Sequence, residues 1–276
     1  MLRFGTAGKP ISSNGSTSAS GVARVRELGL TCMELEWVHR APGENSKTLP
    51  AAKREAEKTP RITLSCHATY YINFAGDQKI VEASKQRLIR AIRSLVIAGG
   101  RNVVFHAGFY KKQDPKKVHE IIRNNLLDVI SQLDNEGIKG YCLRPETTGK
   151  PTQYGSLDEI IRLSSECPNT APCIDFSHLH AREGGGFNSK YDFIHTLESI
   201  EKGLGNEALS DMHMHVSGIE YTPKGERKHL ILRKSDMKYT ELLAVLKEYN
   251  VGGTLICESP NLEGDAMLMR NYYNQL

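Results

Sequence analysis

The chain of 276 residues has no apolar run near the roughly 20 residues that a membrane-spanning helix requires, so no membrane segment is expected. Its opening, MLRFGTAGKP, lacks an apolar stretch behind a basic one; nothing there marks secretion, and a cytoplasmic setting is the expectation. CxxC pairing is absent too. Cys32, Cys66, Cys142, Cys167, Cys173 and Cys257 stand singly, most of them inside apolar strand-like runs where a thiol serves as a small core group, so reduced cysteines are expected. Charge of one sign is scarce: a formal net charge of +4 is too small to establish a nucleic-acid partner, and the placement of the basic residues has to carry that question. What remains, with 39% hydrophobic and 25% charged residues, is the composition of a folded globular protein.

Short apolar or β-branched runs alternate with longer stretches of helical period, the pattern of repeated βα units around a parallel sheet. Eight strand candidates occur: LRFGTA, CMELEW, ITLSCHA, NVVFHAG, GYCLRPE, PCIDFSH, DMHMHVS and TLICES, beginning near residues 2, 32, 62, 102, 140, 172, 211 and 254. Between the third and fourth, Ile80, Leu88, Ile92, Leu95 and Val96 form an apolar stripe that Gly99 and Gly100 stop. The next helix has Asp114 as N-cap, Pro115 in first position and Gly137 past its end. SSNGSTSASG reads as a long loop before the first helix, with Ser18 or Ser20 as the cap. Eight such units predict a (β/α)8 TIM barrel, which routinely takes about 250 residues, and residues 1–276 are expected to form that one domain.

In such barrels the working site lies at the C-terminal ends of the strands. Here those ends carry His67, His106, Glu146, Asp175 followed by His178, His215 and Glu258. Alternation supports the geometry: Thr63, Ser65 and His67 share one face of their strand while Ile62, Leu64 and Cys66 share the other. A single strand-end histidine usually reads as a hydrogen-bonded core group. Three carboxylates and four imidazoles on one rim, however, would repel or stay unsatisfied without cations to order them. A mixed imidazole and carboxylate set suits zinc, manganese or iron, and its size implies at least two ions. Four further positions stay open: His213, one layer below His215, as ligand or hydrogen-bonded interior group; His180, with solvent exposure as its default; and Glu34 with Glu36, as supports for a ligating histidine or satisfied interior acids.

In their order, SCHATYYIN, VVFHAG, RPETTG, CIDFSH, MHVSG and CESP resemble the endonuclease IV family, apurinic/apyrimidinic endonucleases with a trinuclear zinc site on a TIM barrel. The likeness spans strands three to eight. It implies His67, His106 and Glu146 as ligands of a first zinc, and Glu146, Asp175, His215 and Glu258 as ligands of a second. His178 and His229 would serve a third. It also implies that a hydroxide held between metals attacks the phosphorus 5′ to an abasic site in double-stranded DNA, with Glu146 and Glu258 as the catalytic carboxylates and a 3′-hydroxyl as product. Tyr70 matches a tyrosine that enters the gap in the damaged duplex. One departure stands out: the family's Asp-x-His pair after strand seven is replaced by GERKHL, which leaves His229 as the surviving ligand and Glu226 as the candidate for the aspartate's place. The loop after strand two, WVHRAPGENSKTLP, also differs at a position where the family contacts DNA.

Lys9, Arg40, Lys47, Lys111, Lys112, Arg182, Lys224, Arg227 and Lys228 all fall in expected βα loops, a rim suited to phosphates, and Arg40 and Arg227 are the substrate-binding candidates among them. The expected protein is thus a monomeric enzyme with two or three Zn2+ ions, Mn2+ or Fe2+ being alternatives. The rival is a sugar isomerase or epimerase of the xylose-isomerase-like barrels, for which one ion held by Glu146, Asp175, His215 and Glu258 would suffice; His67 and His106 argue against it. A non-catalytic nucleic-acid-binding module braced by metals ranks last.

Overall fold

A computed structural model describes all 276 residues. Eight parallel strands follow the expected runs: β1 (Leu2–Ala7), β2 (Cys32–Glu36), β3 (Thr63–His67), β4 (Asn102–Phe105), β5 (Cys142–Pro145), β6 (Cys173–Asp175), β7 (Met212–Val216) and β8 (Gly253–Cys257). Their order is β5-β4-β3-β2-β1-β8-β7-β6, and the bridges Leu143 to Thr170 and Glu146 to Cys173 close the remaining seam between β5 and β6. This is the predicted (β/α)8 barrel.

The helices are α1 (Ser18–Glu27), α2 (Thr48–Ala56), α3 (Gln78–Ile97), α4 (Pro115–Asn135), α5 (Leu157–Glu166), the short α6 (Phe176–Arg182), α7 (Lys190–Leu204), α8 (Tyr239–Glu248) and α9 (Glu263–Gln275). In α3 the side chain of Asp77 accepts from the Ile80 amide, while Leu88, Ile92 and Leu95 are buried and Gly99 ends the helix at φ +77°. Asp114 caps α4 by accepting from the amides of Lys116 and Lys117. The cap of α1 is Thr17 rather than Ser18 or Ser20: Thr17 keeps extended backbone and accepts from the Ser20 amide, whereas the serines already lie within the helix. No helix is long and apolar enough to cross a membrane.

Outward strand residues such as Leu64, Val103, Leu143, Ile174, Met214 and Leu255 meet the apolar helix faces in a core of 62 buried residues. All six cysteines are buried and free, as expected. The barrel interior instead carries a column of hydrogen-bonded polar side chains. Arg144 donates to Asn102 Oδ1 (3.0 Å) and to the carbonyls of Pro172 and Asp211 near the closed end. Above it, His213 stands between Thr254 Oγ1 (2.9 Å) and Glu34 Oε2 (2.8 Å), and Glu34 also accepts from Ser65 Oγ (2.7 Å). This column carries hydrogen bonds from the bottom of the barrel to the floor of its mouth.

Close packing of β1 on β2 depends on Gly5, where an added Cβ would lie 1.9 Å from the Cys32 carbonyl oxygen. Gly5→Ala is therefore expected to lower stability by about 1–3 kcal/mol, the usual cost of overpacking. Urea unfolding of the two proteins checks this, and an unchanged midpoint would contradict the packing described.

Candidate metal centre

Strand β6 ends at Asp175 because that residue is also the N-cap of α6. Its Oδ1 accepts from the His178 amide at 2.7 Å, while Oδ2 is buried with no hydrogen-bond partner. The cap turns the chain so that His178, one turn on, faces the same mouth. His67 ends β3; His106, Glu146 and Glu258 follow β4, β5 and β8 by one residue; His215 sits within β7. His229 comes from a hairpin, Gly218–Thr222 paired with Gly225–Leu230, that folds over the mouth after β7.

These side chains form three adjoining groups with ligand atoms within 4.8 Å of one another: His67, His106 and Glu146; Glu146, Asp175, His215 and Glu258; and His178, His229 and Glu258. Glu146 and Glu258 each belong to two. The groups border a cavity of about 310 Å3 whose walls also include Tyr70, Phe109, Lys150, Gln153 and Glu226.

The imidazoles are held in one manner. His67, His178 and His229 each place Nδ1 on a backbone carbonyl, of Ala68 (2.7 Å), Thr147 (2.9 Å) and Glu258 (3.1 Å) respectively. Such anchoring fixes the tautomer with hydrogen on Nδ1 and leaves Nε2 directed inward, which is how ligating histidines are ordinarily held. His215 is reversed: Nδ1 faces Glu146 (3.0 Å) and Glu258 (3.2 Å), and Nε2 lies 2.9 Å from Glu34 Oε1. Glu34 thus braces His215 from below. His106 Nε2 lies 2.7 Å from Glu146 Oε2 in poor hydrogen-bond alignment, and it has no other partner. Convergent donors aimed at a common point, with Asp175 Oδ2 and His106 Nε2 unpartnered, fit divalent cations better than they fit one another.

The replaced segment GERKHL resolves through a β-bulge. Ile219 pairs with His229 and Glu220 with Lys228, but Tyr221 pairs with Glu226, so Arg227 is the extra residue. One inserted residue turns a spacing of three into an effective two. Glu226 and His229 therefore share a face, with Glu226 Oε2 3.6 Å from His178 Nε2 and Oε1 3.8 Å from His229 Nε2. Gly149 permits the close approach: its carbonyl accepts from the Glu226 amide, and a Cβ there would lie 2.7 Å from that of Glu226.

The other expected site residues distribute differently. Tyr70 is half-exposed on the lip, its ring 5.2 Å from that of His67 and 6.0 Å from that of His106. Arg40 lines a neighbouring groove rather than the donor cavity. Arg227, expelled by the bulge, pairs with Glu220. Arg182 is not a free rim cation either; it braces the carbonyls of Lys150 and Gln153. His180, expected to be exposed, is buried against Tyr221 and 3.1 Å from Asp236, because the hairpin closes over α6. His213 has both ring nitrogens engaged in the interior column, which leaves it no lone pair for the mouth. Sequence reasoning missed Phe109, Lys150 and Gln153, which lack any strand-end signal.

Residues 22–272 match the family described as the xylose isomerase-like TIM barrel. The chain belongs to that family. It is 43% identical over 277 residues to an uncharacterised protein of Methanocaldococcus jannaschii, MJ0133, covering 100% of this chain and 98% of that one. Among solved structures it is similar to endonuclease IV from Thermus thermophilus, with a TM-score of 0.74 at 19% identity over 99% of this chain and 100% of that one. A D-tagatose 3-epimerase-like protein gives 0.71 at 15% identity over 95% and 97%. At these identities both likenesses speak for the barrel, so the choice of chemistry within the family rests on the site itself.

Electrostatics sets how the site behaves before ions enter. Burial opposes the charged form of His67, but the hydrogen bond it donates to Glu146 and the charges of Glu146, Glu36 and Glu34 outweigh it and carry the imidazole up to about 10. Burial likewise opposes His178, yet Asp175 and Glu146 raise it to about 9. For Glu258 burial is overcome by His215, which brings the carboxyl down to about 2, whereas burial lifts Asp175 to about 6. Protons thus occupy the places that cations would take, and metal binding must release them.

The sign follows from linkage. Stabilisation by the raised His67 and His178 is complete below their ordinary value of 6.5 and is lost as pH climbs to about 10 and about 9. Ionisation of Asp175 on the way to about 6 acts in the same direction. Metal-free protein should accordingly melt at progressively lower temperature from pH 6.5 to 9, while zinc-loaded protein should not follow that decline. Calorimetry at several pH values tests it, and parallel profiles would contradict the arrangement.

Proposed function

We propose that this protein is a metal-dependent hydrolase that cuts the phosphodiester 5′ to an abasic site in double-stranded DNA, leaving a 3′-hydroxyl. What supports it is the convergence of His67 and His106 on Glu146 Oε2, beside the four-donor group of Glu146, Asp175, His215 and Glu258. A sugar isomerase needs only the second group. His67, His106 and Glu146 would hold one ion, the four-donor group another, and His178, His229 and Glu226 a third. Zinc suits this donor set, with manganese and iron as alternatives. When bound, such ions supply Lewis acidity toward a phosphoryl oxygen and acidify water.

The chain's own residues supply the rest. Glu146 is fully buried, with Oε2 toward His67 and His106 and Oε1 toward His215 and His178, so it fixes the spacing of the two main positions. Glu258, 11% exposed against 1% for Glu146, is the more open of the two shared carboxylates on the cavity and would orient the attacking water. Tyr70 on the lip offers a flat face to fill the space left by a missing base. A sugar isomerase or epimerase remains the second reading, because the four-donor group and a cavity of about 310 Å3 would serve one ion and a small sugar.

A labelled duplex with one tetrahydrofuran residue separates the two, since the analogue cannot undergo β-elimination. The expected result with zinc- or manganese-loaded protein is a single 5′-side nick, slowed about 10- to 100-fold in Glu258→Gln, as loss of a group next to bound metal commonly does. No nick, together with epimerisation of a free ketose, would favour the sugar enzyme.

A further inference from the structure

A second cavity opens on the same rim and is larger than the donor site, about 530 Å3. It lies between the loop after β2, the segment after β3 and the middle of α3, and guanidinium groups dominate its walls. Arg87 donates one N–H to the Tyr71 carbonyl (3.1 Å), and Arg90 donates through Nε to that of Ala41 (2.8 Å). Arg40 is exposed on the facing loop. None of the three is ion-paired. The one acid in the lining, Glu44, already holds Arg93, which is also bound to Glu136. Three uncompensated guanidinium forks in one groove repel one another, and their planar donors match the paired oxygens of a phosphate.

The groove adjoins the donor site through the segment after β3. Tyr70 lines one cavity and Tyr71 the other, both more than half exposed, and the Arg87 guanidinium lies 5.8 Å from the Tyr71 ring centre. A chain of phosphates with one linkage over the donors would pass this tyrosine pair and enter the arginines.

We propose that Arg87 and Arg90, with Arg40 opposite, form a phosphate-binding groove that holds a substrate phosphate away from the reacting bond. That the phosphate belongs to a nucleic-acid backbone rests on the function proposed above; that the groove takes phosphate does not. Fluorescence anisotropy with a lesion-free duplex, measured between about 50 and 200 mM KCl, reads the number of phosphates engaged independently of any cleavage. The variant Arg87→Gln/Arg90→Gln keeps a donor for the two carbonyls and removes both charges. Its log K against log salt slope should be shallower by about 2, and that of Arg40→Ala by about 1, since each phosphate contributes about 0.9. Arg40 supports no other part of the chain, so its slope decides the matter if the double variant does not fold. Calorimetry with a pentose 5-phosphate forms the other arm. Unchanged duplex slopes with sugar-phosphate binding weakened at least tenfold would uphold the groove and assign it to a small phosphorylated substrate, overturning the nucleic-acid assignment. If neither ligand responds to any variant, the groove is not a phosphate site.

Discussion

One buried carboxylate organises this molecule. The backbone of Glu146 joins β5 to β6 through its bridge to Cys173, so the residue that closes the barrel also carries the side chain shared by two donor groups. Its amide donates to the Phe105 carbonyl, which ties it to β4 and hence to the strand leading to His106. Any shift in the seam would move both oxygens relative to four imidazoles at once. That coupling explains why so much of the barrel interior is polar. Arg144, Asn102, His213, Thr254, Ser65 and Glu34 form a linked column beneath the site, and its upper member, Glu34, braces His215. A buried polar network of this kind rigidifies only when its members are satisfied, and at the mouth Asp175 Oδ2 and His106 Nε2 are left without partners, where cations would sit.

Much of this was legible from residue order. All eight strands fall on the predicted runs, because a βα barrel repeats one local pattern and the helix-facing side of each strand stays apolar even where its inward side is polar. The rim donors were legible for a related reason: strand ends in this architecture must point into the mouth, so a histidine or carboxylate there has one place to go. What escaped depends on contacts distant in sequence. His180 is buried only because the hairpin brings Tyr221 and Asp236 onto α6. The bulge that aligns Glu226 with His229 is set by pairing with Tyr221, a partner that GERKHL does not contain. Arg40 and the arginines of α3 look like scattered surface charges until the fold sets them around one groove. The hydroxyl residues Thr17, Ser18 and Ser20 are equivalent as caps until the backbone leaves the helix, which it does at Thr17.

Within the xylose isomerase-like TIM barrel family, one scaffold presents the same strand ends to different chemistries. The features that bear on the choice here are additions to a four-donor core: two histidines from β3 and β4, a hairpin that delivers His229 and Glu226, and an arginine groove beside the mouth. Each has its own structural support. The histidines are anchored or converge on Glu146, the hairpin is tethered to Gly149, and the arginines are held in part by backbone carbonyls. None of these is needed to hold a single ion for a small sugar.

The central claim is that the rim is a site for more than one metal ion, and the most direct test is the ion count of the folded protein. Native mass spectrometry of chain saturated with zinc and freed of loosely bound metal should show at least two ions per chain, with a third that Glu226→Gln removes. A single ion in saturated protein, unchanged when His67 and His106 are replaced by alanine, would contradict the account and leave only the four-donor group in use.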